Sequence, residues 1–474
     1  MQNALNFFSS RLSGFSTNVY SVSCSGKTSQ LSSNDSVILN LPSSSILDCR
    51  SVRLAFNLSV TSDAAGRAPA NLEKLFSRVE ILCGGQALSA TVQNHGLLVS
   101  MKERVYGSEC SSGSHPDIIR AVGDYSTVAL GATDSEVVVG TDAASGSACL
   151  STSSHPFVVE LTNTFLSSVQ PRYLDCSLLN QLQIRLTLNS SAVLSVSANN
   201  TLPSAGLYAA NPDPVEFDTP ITGQSATYEI SNLTATCSCI SFSSSEYDVL
   251  LSDQLASQGY LPCIFKNYLM FRQTHSGSSK FQLSTRSLDR IMFGFLYTGP
   301  TTAGTTTVPQ LKNSQVINSP SLVPGYLVDA SRQASRHGSG MERYVGAWET
   351  FTCPSKDLTC QITVNNSFLP QAPAGAAVCS ALTEIATGVQ LPATTNPLAR
   401  MSTDFVNVFS LCMPGSDDSR VSSGIDCRGS QVSASLQTTG NFDIGATPSW
   451  DSVIVAEFSS ELRISVGRSI SVVT

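Results

Sequence analysis

Residues 52 to 60 alternate in character: Val52, Leu54, Phe56, Leu58 and Val60 are apolar, with Arg53, Ala55, Asn57 and Ser59 between them. A two-residue period places every apolar side chain on one face of an extended chain, which predicts a half-buried strand. The same pattern returns at Ile184, Leu186 and Leu188 against Gln183, Arg185 and Thr187. It returns again at Leu462, Ile464 and Val466 against Arg463 and Ser465. Further apolar runs of strand length fall at 36–41, 75–83, 156–161, 226–241, 263–271, 290–297, 359–364, 406–413 and 453–458. Turn-forming clusters such as Leu41-Pro42-Ser43 and Asn211-Pro212-Asp213-Pro214 separate them.

Three segments switch to helical spacing. In 93–106, Leu97, Leu98, Met101 and Val105 fall on one face. In 245–258, Ser245 is placed to cap, Asp248 follows three residues on, and Gly259 is the expected stop. Tyr247, Leu250, Leu251 and Leu255 are the expected buried stripe of that helix. A third helix is predicted over 376–386, ending at Gly388.

Many short strands with long connections and few short helices predict an all-β chain. At 474 residues it is too long for one ordinary domain and suits two. The capped helix lies near the middle. The expected organisation is an N-terminal arm (1–35), a first β-sandwich (36–244), a linker helix (245–258) and a second β-sandwich (259–474). No residue-level repeat is visible between the halves. The segment 298–345 is long, weakly patterned and rich in Pro, Gly and Ser, as expected of a contact arm or surface tower.

Composition sharpens this picture. Hydrophobic residues make up 41%, enough for two cores, and charged residues only 13%, about half the usual share. A weakly charged surface costs less to desolvate, which suits a protein covered on several sides by neighbours. Net charge is −8 and the pI about 5.2. The first 35 residues carry only Arg11 and Lys27 as basic groups. Binding that neutralises phosphate needs more than this, so direct nucleic-acid binding is not expected. The 14 cysteines are scattered with no C-x-x-C pair, which reads as free thiols kept reduced. Cys237 and Cys239 would share one strand face as small buried hydrophobes. No signal peptide and no membrane-spanning run is apparent.

The chain carries no catalytic pattern: no G-x-S-x-G, Walker A loop, H-E-x-x-H or G-x-G-x-x-G. His95, His115, His155, His275 and His337 are not at metal-ligand spacing. Asp417-Asp418 reads as an exposed turn. Arg332, Arg336, His337 and Arg343 form the densest basic stretch, but Glu342 interrupts it and no aromatics interleave it. No catalytic residue, cofactor or metal site is therefore expected. Leu5, Phe7, Phe8, Leu12 and Phe15 make an apolar N-terminal segment that would pack on its own domain or under a neighbour. Contact with an internal membrane is disfavoured by its thin Lys/Arg support.

Several runs resemble a known family. Leu75-Phe76-Ser77-Arg78-Val79-Glu80-Ile81-Leu82, then Gly84-Gly85-Gln86, is similar to a first-domain strand and turn of the double jelly-roll major capsid proteins. Ile230-Ser231-Asn232-Leu233 and the capped helix resemble the close of their first jelly roll and its linker. Ser287-Leu288-Asp289-Arg290-Ile291 resembles an early piece of the second. Ser422-Ser423-Gly424-Ile425-Asp426-Cys427-Arg428-Gly429 and Glu461-Leu462-Arg463-Ile464-Ser465-Val466-Gly467-Arg468 resemble its last strands. The likeness is greatest to capsid proteins of polinton-like viruses and virophages, in the lineage of adenovirus hexons. It implies two tandem jelly-roll β-sandwiches and a homotrimeric, pseudo-hexagonal capsomer in the icosahedral capsid of a dsDNA virus. It implies neighbouring capsomers, penton proteins and minor or cement capsid proteins as partners, and a place in the virion shell. The residues themselves leave other readings open. A carbohydrate-binding or adhesion β-sandwich would show clustered aromatics, whereas aromatics are 7%. A β-sandwich hydrolase would need convergent acids or a Ser/His pair, and a single-stranded RNA virus coat protein a basic arm.

Overall fold

The computed structural model describes residues 15–25, 30–62, 66–67, 71–89, 92–112, 155–190, 195–196, 226–242, 245–297, 351, 353–354, 357–364, 367–388, 405–412, 424–428, 432–439, 450–465 and 467–473. The apolar residues 5–12, the segment 298–345 with its basic cluster, His115 and Asp417-Asp418 lie outside them.

The first half runs β1 (Phe15–Ser23), β2 (Ser36–Asn40), β3 (Ile46–Asp48), β4 (Arg53–Ser62), β5 (Gly66–Arg67), β6 (Phe76–Cys83) and β7 (Gln86–Ala87). It continues through α1 (His95–Ser112), β8 (His155–Glu160), α2 (Phe165–Ser168), β9 (Tyr173–Asp175), β10 (Leu182–Leu188), β11 (Ser195–Val196) and β12 (Ala226–Phe242). Helix α3 (Ser245–Gln258) leads into the second half. That half contains β13 (Tyr260–Thr274), β14 (Ser278–Leu283), β15 (Leu288–Tyr297), β16 (Thr359–Val364) and β17 (Ser367–Gly375). It closes with α4 (Ala376–Thr387), β18 (Val406–Ser410), β19 (Val432–Thr439), β20 (Trp450–Ser465) and β21 (Ser469–Val473).

The two halves share one topology. In the first, β8–β4–β12 form a sheet that β1 extends along the far edge of β12, facing a second sheet β2–β10–β6–β7. In the second, β18–β15–β20–β13 faces β14–β19–β16–β17. Across these eight strands of each half the order is the same, and a helix lies at the same point of each, α1 between β7 and β8 and α4 between β17 and β18; β3 and β9 are added only in the first and β21 only in the second. This is a jelly-roll sandwich made twice. The predicted alternation fixes the inward faces: Leu54, Phe56 and Leu58 of β4 and Ile184, Leu186 and Leu188 of β10 are all buried in one core. Cys237 and Cys239 face that core together.

A Leu/Ile-Asp pair recurs at the corners of both halves. Leu47-Asp48-Cys49 and Leu174-Asp175-Cys176 end paired strands, with Leu47 opposite Leu174. In the second half Leu288-Asp289 lies against Ile425-Asp426-Cys427, with Leu288 opposite Ile425. In three of the four the carboxylate accepts from the backbone N–H two residues on: Asp48 from Arg50 (3.2 Å), Asp175 from Ser177 (2.9 Å) and Asp426 from Arg428 (3.0 Å). Each thus turns the chain at a sandwich corner, as Asp does in turns generally. Gly424 sits there because any side chain would collide with Leu288: a Cβ would lie 2.0 Å from its carbonyl oxygen.

The predicted helices stand at α1, α3 and α4. Gly259 and Gly388 end α3 and α4 with left-handed φ of 76° and 68°, and each N–H closes on the carbonyl four residues back. The stripe of α3 needs one correction. Leu251 and Leu255 pack on the first core and the Tyr247 hydroxyl donates to Asp175 Oδ2 at 2.9 Å, but Leu250 is 46% exposed. The helix lies on the surface with a narrow contact face, and Leu250 falls just outside it. The side chain of Ser245 lies outside the described residues.

Candidate assembly interface

The residues that join the jelly rolls start from one buried turn. Asn71 caps residues Leu72–Leu75 by accepting from Glu73 N–H at 2.9 Å, which places Glu73 and Lys74 inside the protein. The fully buried Glu73 carboxylate accepts from Thr162 N–H (3.1 Å) and Thr162 Oγ1 (2.6 Å), and His95 Nε2 lies 2.9 Å from it. Lys74 Nζ pairs with Glu103 at 2.7 Å. These bonds fix both the first and third turns of α1. Gly96 allows the close approach, since a Cβ there would sit 2.9 Å from the Lys74 carbonyl oxygen.

Helix α1 then projects its apolar face onto the second jelly roll. Leu97, Leu98, Met101, Val105 and Tyr106 form one buried cluster with Tyr268, Met292, Val406, Val408, Val453 and Val455. Those partners are the outward residues of β13, β15, β18 and β20, opposite the side chains that fill the sandwich. An ionic group borders this contact. Glu457 lies 3.0 Å from Lys266, 3.7 Å from Arg290 and 4.0 Å from Lys102 of α1. Lys102 also donates to the Tyr268 hydroxyl at 2.6 Å, and Arg290 donates to the Tyr106 hydroxyl at 2.9 Å.

Burial alone would raise the Glu457 carboxyl, but Lys102, Lys266 and Arg290 together outweigh it and hold it down to about 2. Asp289 goes the other way: desolvation raises it, although Ser459 (2.6 Å) and Ser287 (2.9 Å) donate to its oxygens. A carboxylate surrounded by three cations and closed from water locks neighbouring elements in register. Main-chain bonds add to the lock. Gln170 and Ile264 exchange both N–H···O bonds (2.7 and 2.9 Å), and Phe165 meets Phe265 edge to face at 4.9 Å. Leu261, Cys263 and Phe265 of β13 and Leu462 and Ile464 of β20 lie in the core of the first jelly roll, not the second.

Among the described residues no group of three or more His, Cys, Asp and Glu is placed to hold a metal, and no helix is long and apolar enough to cross a membrane. His95 and His275 are far apart in function as in sequence: His95 braces α1, and His275 is buried between Ser279 (2.6 Å) and Thr438 (2.7 Å). Trp450 is buried, so it offers no stacking platform for a sugar. The junction was not foreseen from the sequence. Its one visible signal is Glu457, a charge inside the apolar run 453–458.

Two jelly rolls of identical strand order, locked side by side through α1, define a double jelly-roll protein. The same fold is found in solved structures over nearly the whole chain. The PBCV-1 VP54 structure fitted into a reconstruction of the virophage Sputnik is 11% identical, covers 98% of both chains and has a TM-score of 0.53. The Faustovirus major capsid protein is 10% identical over 96% of this chain and 91% of its own, with a TM-score of 0.52. The Sputnik virophage structure is 11% identical over 97% and 89%, again with a TM-score of 0.52. No protein-family model and no curated relative matches the sequence.

Proposed function

We propose that this chain is the major capsid protein of a double-stranded DNA virus, a structural subunit that acts by tiling and not by catalysis. The observation that carries this reading is the doubled jelly roll itself, shared end to end with structures of viral major capsid proteins. Three copies would form a pseudo-hexagonal capsomer, each supplying two of six similar β-sandwiches, with α3 (residues 245–258) as linker. Neighbouring capsomers, penton proteins and minor or cement proteins would be the partners, and the virion shell the location. A rigid junction such as the one around Glu457 supports this role, because a tile must keep the angle between its two halves. The low charge supports it too, since less hydration is lost as edges meet.

The test is the mass of the purified chain by light scattering, with electron microscopy of the same fraction. A species near three times 50.1 kDa with a hexagonal outline, or shell fragments, is the expected result. A monomer that never assembles would overturn the reading, and a glycan-binding screen would then address the carbohydrate-binding alternative.

A further inference from the structure

Helix α4 leaves an apolar strip in water, bordered by the exposed Glu384. Val378 is 53% and Ile385 69% exposed, and Ala377 and Ala381 beside them are exposed as well. Its other face is spent on its own jelly roll, through the buried Cys379 and Thr383. An exposed apolar helix face marks a contact, and the chain itself shows what such a face covers. Helix α1 occupies the same place in the first jelly roll. Its docking residues Leu97, Leu98, Met101 and Val105 have the same spacing as Ala377, Val378, Ala381 and Ile385.

The acceptor is repeated as well. In the second jelly roll, α1 covers a row running across three strands: Val408 opposite Met292, and Met292 opposite Val455. In the first jelly roll the corresponding strands β8, β4 and β12 carry a row of Val158, Ala55 and Thr234 in the same pairing. Arg53 precedes Ala55 by two residues, as Arg290 precedes Met292. Among the described residues no helix lies over this second row, and Val158 is 52% exposed.

We propose that the outward face of α4 docks on the outward face of β8–β4–β12 of a second copy of this chain, repeating between copies the contact that α1 makes within one. The proposal rests on the capsomer reading and names its interface. Each copy then has one donor helix and one acceptor sheet, a head-to-tail arrangement that closes as a ring. The composition of the two acceptors fits their histories. The one covered as the chain folds is Val- and Met-rich, and the one that waits in water carries Ala and Thr with a single exposed Val.

The test compares wild type with Val378→Lys/Ile385→Lys and, separately, Val158→Lys, by analytical ultracentrifugation and thermal melting. Each variant is expected to lose the trimer at concentrations where wild type holds it, with the melting of the single chain unchanged because these side chains are exposed. A second measurement places a photocrosslinker, Ile385→p-benzoylphenylalanine. Crosslinks should fall on residues 53–57, 156–160 or 234–236 of another copy. Variants that trimerise like wild type, or crosslinks confined elsewhere, overturn the α4 contact while leaving the capsomer intact. A wild type that stays monomeric defeats the capsomer reading and this contact with it.

Discussion

Lys102 Nζ and Glu457 Oε2 stand 4.0 Å apart across the boundary between the jelly rolls, one on a helix of the first and one on a strand of the second. The lysine reaches there over the Tyr268 ring, 4.4 Å from its centroid, so charge and aromatic face both hold it. Removing the anion takes from three cations their shared carboxylate and leaves Asp289, 3.9 Å from Lys266, as the nearest remaining one. Glu457→Gln is expected to cost about 3–5 kcal/mol, the usual penalty for breaking a buried ionic group from one side. Lys102→Met leaves Glu457 with Lys266 and Arg290 and should cost about 1 kcal/mol. Urea unfolding of both variants checks the order, and a Glu457→Gln protein as stable as wild type would refute the lock.

Acid should weaken the second jelly roll before it weakens the junction. Burial lowers His275 to about 4 from an ordinary 6.5, so the folded protein binds its proton less well than the unfolded chain does. The Ser279 and Thr438 hydroxyls bond the ring and the Phe295 ring lies 5.2 Å away, all three uncharged. The stability it contributes is whole above pH 6.5 and is lost as pH falls towards 4, up to about 3 kcal/mol. The Glu457 contribution is whole above about pH 4.5 and is lost only as pH approaches 2. Melting curves of His275→Gln should be flatter than wild type between pH 6.5 and 4.

Asn407 is fully buried on β18, and among the described residues neither its amide nitrogen nor its amide oxygen has a hydrogen-bond partner. It faces Phe293 across the strand pair and lies among aromatic residues. Replacing an unsatisfied amide by an apolar side chain of similar size removes a desolvation cost of about 1–3 kcal/mol. Asn407→Val should therefore melt higher than wild type, and a lower melting temperature would contradict this account.

The buried thiols should be inert in the folded protein. Eleven of the twelve described cysteines are buried. Desolvation raises Cys176, Cys237 and Cys263 to about 12, leaving almost no thiolate at neutral pH. Titration with a chromogenic disulfide should leave these groups unreacted in buffer and count all 14 thiols in denaturant.

The strands that alternated cleanly were readable because one face of each is buried. Of those missed, β14 does alternate, with Phe281 and Leu283 inward, but its first inward residue is Ser279, while three others lacked the signature for physical reasons. β1 is exposed along nearly its whole length and is held by its ladder to β12, so no apolar period is needed. β17 carries Pro370 and Pro373, tolerable at the sheet edge it occupies but contrary to a strand reading. β19 turns mostly small side chains inward, with Ala434 and Leu436 as its buried pair. The Leu/Ile-Asp corners were too short to stand out until the strands brought them face to face. The contact between the jelly rolls was legible only in Glu457, a charge inside the apolar run 453–458. Its geometry depends on which helix face stays outside, as the misplacement of Leu250 on α3 illustrates.

Leu462, Ile464 and the partly buried Val472 complete a core whose other members are mostly made in the first half of the chain. During translation that core has to wait, with Leu261, Cys263 and Phe265 unsealed, until β20 has left the ribosome. A prematurely terminated chain therefore keeps an open seam in its first jelly roll even where every first-half residue is present. The first jelly roll is therefore sealed only once β20 is in place, which makes the folding of the two halves one coupled event.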